Sequence, residues 1–299
     1  VTAMTNTNIT IKVPATSANM GPGFDSVGVA VGLYLTLEIV GPSETWIIDH
    51  ELGEGIPHDE TNMVIETILR FAPDVAPHHL VMTSDIPTAR GLGSSSSAIV
   101  AGIAIAEILS GQKWDTATKI NMANELEGHP DNIAPAIAGG LVVSVAMDES
   151  HVLWTKAILD DVHFIAVVPH RELLTKAARA VLPKELSFTD AVRANGIGNV
   201  FVSKLFEGDL AAVGTLMEMD QLHEPYRASL VPELAQVREA LKNVDGVYGT
   251  YLSGAGPTVM TLVHADHVDA ILTNLQALDL DASVIPLDFA SDGVIVEGM

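Results

Sequence analysis

The strongest chemical signal in the chain is the segment Pro87-Thr-Ala-Arg-Gly-Leu-Gly-Ser-Ser-Ser-Ser-Ala98. Gly91 and Gly93 permit a left-handed backbone and remove side-chain bulk, so a large anion can approach the main chain. Ser94 to Ser97 open the apolar segment Ser94–Leu109, which is too long for a strand and reads as a buried helix. In the first turn of a helix the N–H groups lack partners and the dipole is positive, so hydroxyls and N–H groups together build a phosphate cradle. Capping alone would not require four serines. The spacing is not that of a Walker loop, because no lysine follows the second glycine at the required place. A second chemical group stands on the helix expected over Asp115–Glu127. Ile120 and Ala123 form an apolar stripe, and Glu127 continues it. A carboxylate on a buried face needs a cation.

The serine loop resembles the Pro-x-x-x-Gly-Leu-Gly-Ser-Ser motif of the GHMP kinases. Two further segments agree: Val13-Pro-Ala-Thr-Ser-Ala-Asn-Met-Gly-Pro-Gly-Phe-Asp25 resembles the family's first motif in its homoserine kinase form, and Leu252-Ser-Gly-Ala-Gly-Pro-Thr258 resembles the third. A lone glycine-rich loop is a weak signal; three motifs in the family's order are a specific one. The resemblance implies an ATP-dependent transfer of phosphate to the hydroxyl of L-homoserine, a step of threonine biosynthesis. It places ATP along Pro87, Thr88, Ala89, Arg90, Gly91, Leu92 and Gly93, with Ser94, Ser95, Ser96 and Ser97 at the phosphates. It also implies Mg²⁺ held by Glu127 and Ser95, a donor set of oxygens, phosphate and water that suits this ion. Asn62, in a Thr-Asn pair, either lies along the adenine pocket or caps a helix.

The same resemblance suggests what selects the substrate. Asn132 stands where mevalonate kinases carry an aspartate thought to be a general base, and a carboxamide takes no proton. The implied catalysis by Glu127, Asn132 and Ser95 is therefore positional, with the phosphate itself accepting the hydroxyl proton. A zwitterion needs an anion-binding and a cation-binding corner. Basic residues are few here, which makes Arg179 and Arg227 conspicuous; both lie in segments resembling those that clamp the substrate carboxylate, and guanidinium binds carboxylate bidentately. Asn19, Asp25 and Asp131 are expected on the ammonium and hydroxyl. His129 either joins them or, preceding Pro130, caps a helix.

These groups need a frame. The first half reads as strands (Ile9–Val13, Val27–Val40, His79–Ser84, Leu141–Val145) with helices over Asn62–Phe71, Ser94–Leu109 and Asp115–Glu127. The second half alternates Val162–Val168 with helical stretches around 175–180, 188–206, 210–217 and 233–242. It ends on Gly249–Val263, Val268–Leu278 and Val284–Leu287. The expectation is an α+β protein of two lobes. The resemblance sharpens this to the GHMP kinase fold, with an ATP-binding domain over residues 1–155, a ferredoxin-like domain over 156–299, the active site between them and a final strand from the tail.

With 15 basic against 38 acidic residues, the net charge of −23 argues against nucleic-acid and anionic-membrane partners. The absence of cysteine excludes disulfides and thiolate metal sites and fits a reducing cytoplasm. Val1–Ile11 lacks the basic and apolar regions of a signal peptide. A soluble, cytoplasmic homodimer acting on a small molecule is expected. The alternatives are a related kinase for mevalonate or another small alcohol, disfavoured by Asn132, and a non-catalytic nucleotide-binding protein, disfavoured by Glu127 and the serine loop.

Overall fold

The computed structural model describes residues 9–298. The first half of the chain folds in the order β1 (Ile9–Ala18), β2 (Val27–Pro42), β3 (Ile47–Asp49), α1 (Met63–Phe71), β4 (His78–Ser84), α2 (Ser94–Ser110), α3 (Thr116–Glu127), α4 (Pro130–Ala138), β5 (Leu141–Asp148) and β6 (His151–Ala157). The second half follows with β7 (Val162–Pro169), α5 (Thr175–Ala180), α6 (Phe188–Glu207), α7 (Leu210–Met217), α8 (Glu224–Arg227), α9 (Glu233–Ala240), β8 (Val247–Leu252), β9 (Val259–His264), α10 (Val268–Gln276), β10 (Ala282–Asp288) and β11 (Ile295–Glu297).

β2 organises the first lobe because its sixteen residues are long enough to pair with three neighbours. It runs antiparallel to β1, β4 and β5, and the sheet continues to β3, β6 and β11. Against this sheet lies α2, apolar on nearly every side and buried from Ser96 to Ala106 beneath α1, α3 and α4. Such a helix is a core element, not a surface one. α3 starts under the Asp115 side chain, which accepts from the Thr118 N–H, and stops at Gly128 in the left-handed conformation. The second lobe is an antiparallel sheet in the order β10-β7-β9-β8, with α9 and α10 packed on it around Ile165, Val237, Leu252 and Ile271.

Elements left unread in the sequence are α4, α8 and the short strands β3 and β6, whereas the expected tail strand is β11. α4 begins with Pro130 at its first position and carries Pro135 inside. Proline is well placed at a helix start but removes a donor within it. The Asp131 carbonyl therefore has no fourth-residue partner. It lies instead against Gly28 of β2, where a Cβ would sit 1.8 Å from that oxygen. The tail strand β11 pairs with β1, Ile11 facing Val296, so the end of the chain returns to the first sheet and does not stay with the second lobe. The cut at residue 155 falls within β6, whose last residue is Ala157. Among the described residues, no helix is long and apolar enough to cross a membrane.

Candidate active site

The serine loop lies where the two lobes meet. Gly93 caps α2 with φ of 71°, and a Cβ there would stand 2.0 Å from the Thr16 hydroxyl. Any side chain at this position is thus excluded twice, by backbone strain and by space. The Thr16 hydroxyl donates to Asn132 Oδ1 at 2.8 Å, which leaves the amide nitrogen of Asn132 as its free end. The third glycine turn clasps the loop from the second lobe. Ser253 donates its hydroxyl to the Gly91 carbonyl at 2.6 Å, and the Thr258 N–H reaches the Arg90 carbonyl at 3.2 Å. The Arg90 side chain is occupied by main-chain carbonyls of Thr88, Pro169 and His170 at 3.0, 3.0 and 2.6 Å. Leu92 is core, and Ser97 is buried with its hydroxyl on the Pro14 and Gly93 carbonyls. Of the loop serines, Ser94, Ser95 and Ser96 line the cavity beneath the α2 N-terminus.

Across from them, Glu127 ends α3. Its neighbour is Ser96, whose hydroxyl lies 3.4 Å from Oε1, whereas Ser95 is exposed and turns to Met63 Sδ at 3.4 Å. The serine that faces the carboxylate is therefore Ser96, one helical step on from the expected Ser95. Among the described residues, no lysine, arginine or histidine nitrogen lies within ion-pair distance of Glu127. Burial raises its pKa, His129 opposes that shift, and Asp131 adds to it. His129 is the N-cap residue of α4 by position, but its side chain makes no capping bond. Its Nδ1 is 3.5 Å from Asp131 Oδ1, and neither atom has a hydrogen-bond partner among the described residues. The Asp131 contact raises the His129 pKa and outweighs burial.

The expected substrate corner is also assembled. Asn19, Asp25, Asp131, His129, Arg179 and Arg227 all line the cavity of about 130 Å³ that holds Glu127 and the α2 N-terminus. The two arginines differ. Arg179 is half-buried and bound bidentately by Asp25 at 2.7 and 3.1 Å, a pairing that raises its pKa. Arg227 is 2% exposed and has no carboxylate within ion-pair distance among the described residues; burial depresses its pKa to about 10. Nε donates to Ala178 and Nη1 to Gly254, through their carbonyls. Both guanidiniums lie over the Phe24 ring, Arg179 at 5.6 Å and Arg227 at 5.4 Å from its centroid. Asn19 is tied to the fold, donating to the Gly254 carbonyl and accepting from the Asp25 N–H, each at 3.0 Å. It shapes the corner and has little left for a ligand.

Asn62 N-caps α1, accepting from the Val64 N–H at 3.0 Å and donating to the Pro57 carbonyl at 2.7 Å. It nevertheless borders a second cavity of about 480 Å³, mostly apolar, reached past Ser94, Ser95, Thr88 and Ala89 and closed by Leu52, Ile56 and Met63. Thr16, Phe24 and Ser253 make these contacts, and His223 stacks on Phe24, but none was foreseen. Each lies in or beside a motif segment, yet only the assembled fold shows what it touches.

A glycine-serine loop at a buried helix N-terminus, an unpaired carboxylate opposite it and an adjoining apolar cavity define a nucleotide-dependent phosphotransferase of two lobes. Two family models match the chain: the GHMP kinases N terminal domain over residues 62–140 and the GHMP kinases C terminal domain over residues 201–278. The chain belongs to the GHMP kinase family. A homoserine kinase of Listeria innocua is 49% identical over 286 residues, 96% of this chain and 99% of the relative. One from Streptococcus thermophilus is 50% identical over 287 residues with the same coverage. The solved homoserine kinase of Cytophaga hutchinsonii is 28% identical, covers 99% of each chain and superposes with a TM-score of 0.84.

Proposed function

We propose that this chain is a homoserine kinase, transferring the γ-phosphoryl group of ATP to the side-chain hydroxyl of L-homoserine to give O-phospho-L-homoserine in threonine biosynthesis. The observation that carries the reading is one cavity that joins the α2 N-terminus and Glu127 to a buried arginine with no carboxylate of its own. The free N–H groups of α2, with Ser94 and Ser96, hold phosphate oxygens. The apolar cavity beside Asn62 takes the base.

Glu127 and Ser96 fit Mg²⁺, which is usually bound by one or two carboxylates together with substrate phosphates and water. Among the described residues no cluster of three or more acidic or histidine side chains offers an all-protein cage, so phosphate and water oxygens would have to complete the shell. When bound, Mg²⁺ neutralises charge on the phosphoryl oxygens. The protein supplies position. Asn132, held by Thr16, presents its N–H₂ end to the reacting oxygens and cannot remove a proton. The hydroxyl proton passes to phosphate. Asp131→Asn should therefore weaken binding yet leave the shape of the kcat profile unchanged from about pH 6 to 9.

The zwitterion is selected by exchange. Asp25 and Arg179 pair with each other; the substrate ammonium takes Asp25 and its carboxylate takes Arg179 and Arg227. The alcohol of mevalonate carries no ammonium to replace the pair. The absence of cysteine supports a cytoplasmic site of action, and the apolar residues that α6 leaves exposed, Phe188, Val192 and Val200, support a homodimer that sedimentation would test. A coupled ADP-release assay across homoserine, mevalonate, shikimate and galactose tests the activity. Homoserine alone should be turned over efficiently, and a preference for any other acceptor would overturn the assignment.

A further inference from the structure

His223 is fully buried behind the substrate corner. Its ring stacks on Phe24, with centroids 5.1 Å apart and planes inclined by 18°. One ring nitrogen, Nε2, lies 3.0 Å from the Gly21 carbonyl. A carbonyl only accepts, so Nε2 carries the proton. The other, Nδ1, lies 3.2 Å from Arg227 Nη1. A guanidinium only donates, so Nδ1 is bare. The partners thus define a neutral imidazole of a single tautomer, and burial together with the neighbouring guanidinium favours that neutral form although Asp220 opposes it.

The consequence falls on Arg227. Nε is taken by the Ala178 carbonyl at 3.1 Å, and the two protons of Nη1 by the Gly254 carbonyl at 2.9 Å and by His223. Nη2 makes no hydrogen bond among the described residues, and Arg227 lines the cavity with Asp25 and Arg179. Three fixed bonds on one side of a planar fork orient the remaining N–H₂. His223 also reaches the turn between β1 and β2, which carries Phe24 and Asp25. Gly21 of that turn is pressed against the Met217 carbonyl, where a Cβ would sit 2.1 Å away. One ring therefore links the first-lobe turn to the second-lobe arginine.

We propose that His223 is the positioning residue for substrate carboxylate recognition: its unprotonated Nδ1 anchors Arg227 Nη1 so that Nη2 faces the α-carboxylate, while its Nε2 proton holds the Asp25 turn at the matching distance. This rests on the assignment of Arg227 to the substrate carboxylate.

The two bonds can be separated. His223→Gln reproduces a donor near Nε2 but offers no acceptor near Nδ1, and His223→Asn does the reverse. His223→Gln should raise the homoserine KM roughly ten- to a hundredfold, as the loss of one hydrogen bond to a charged group implies. The ATP KM should stay near the parent value. His223→Asn should restore most of the homoserine affinity and lose thermal stability instead. The carboxylate-free acceptor 3-aminopropan-1-ol should be phosphorylated equally well by the parent and His223→Gln, so the preference for homoserine collapses only through the carboxylate. If both variants change KM equally, or if the rate with 3-aminopropan-1-ol falls alongside that with homoserine, His223 is merely structural and the proposal fails. Arg227→Ala is the control for the underlying assignment. If it leaves the homoserine KM unchanged, the carboxylate assignment itself is wrong; if it raises KM while His223→Gln does not, only the positioning role is refuted.

Discussion

Replacing Glu127 by glutamine separates the cost of a buried charge from its use. Glutamine has nearly the shape of glutamate and can still take the Ser96 hydroxyl, 3.4 Å from Oε1 in the parent. What disappears is a half-buried charge whose pKa is raised above 4.5, chiefly by burial. A raised carboxylate pKa means that the folded state holds a proton that the unfolded chain releases, so stability falls as pH climbs from about 4.5 through the folded pKa. Above that interval the parent carries the full penalty and the variant carries none. Glu127→Gln without added metal should accordingly melt at or above the parent temperature at pH 8, with the difference vanishing below pH 4.5. Turnover should behave in the opposite way: losing metal stabilisation of the transferring phosphoryl group should cost about a hundredfold or more, or about 2.7 kcal/mol of barrier. Two assays suffice: melting curves with and without Mg²⁺ and nucleotide, and ADP release at saturating Mg²⁺. The stabilisation by Mg²⁺ with nucleotide should be much smaller in the variant. Near-normal turnover, or a lower melting temperature at pH 8 without metal, would refute the reasoning.

Arg227→Ala should raise the homoserine KM more than Arg179→Ala, and neither should move the ATP KM greatly. Arg227 is 2% exposed, and breaking a desolvated charge pair costs about 2–5 kcal/mol, whereas Arg179 already shares Asp25 and is screened by water. Gly93→Ala should abolish nucleotide binding and lower Tm by several degrees. The left-handed backbone costs about 1–2 kcal/mol, and the added methyl also meets Thr16; calorimetry and nucleotide titration check both. The His129–Asp131 pair should stabilise the fold fully below the unfolded histidine value of 6.5 and lose that contribution as pH rises through the raised folded pKa. The difference in Tm between the parent and His129→Asn should therefore shrink from pH 6 to pH 9.

The helices and strands that carry the site were legible where pattern and chemistry agreed. α2 is recognisable because an apolar run begins on four serines, and Glu127 because it continues the stripe of Ile120 and Ala123, both fully buried. α4 was hidden by its two prolines, since the freed Asp131 carbonyl is accommodated by Gly28 on a distant strand. That Ser96 and not Ser95 lies nearest Glu127 has the same origin. Which serine of a helical turn faces α3 depends on the rotation of α2 in its packing, and no local pattern encodes that rotation. Arg179 and Arg227 could be singled out by their scarcity, but not told apart. Their difference lies in Asp25, contributed from 154 positions away along the chain from Arg179.

The anchoring of Arg90 to the end of β7 has a consequence for how nucleotide enters. With its guanidinium on the Pro169 and His170 carbonyls, and with Ser253 and Thr258 holding Gly91 and Arg90, the loop is stitched to the second lobe on both sides. Parting the lobes would tear the cradle proposed for the phosphates. That leaves the other wall of the cavity proposed for the base, the turn through Leu52, Ile56 and Pro57, as the side for nucleotide to enter. That wall is held by the Asn62 amide and His50 Nε2 on the Pro57 carbonyl, by two bonds between Ile48 and His58, and by Leu52 and Ile56 packed on the core. Entry from that side would then have to loosen several shared ties at Pro57 and His58, while the loop that joins the lobes stays intact.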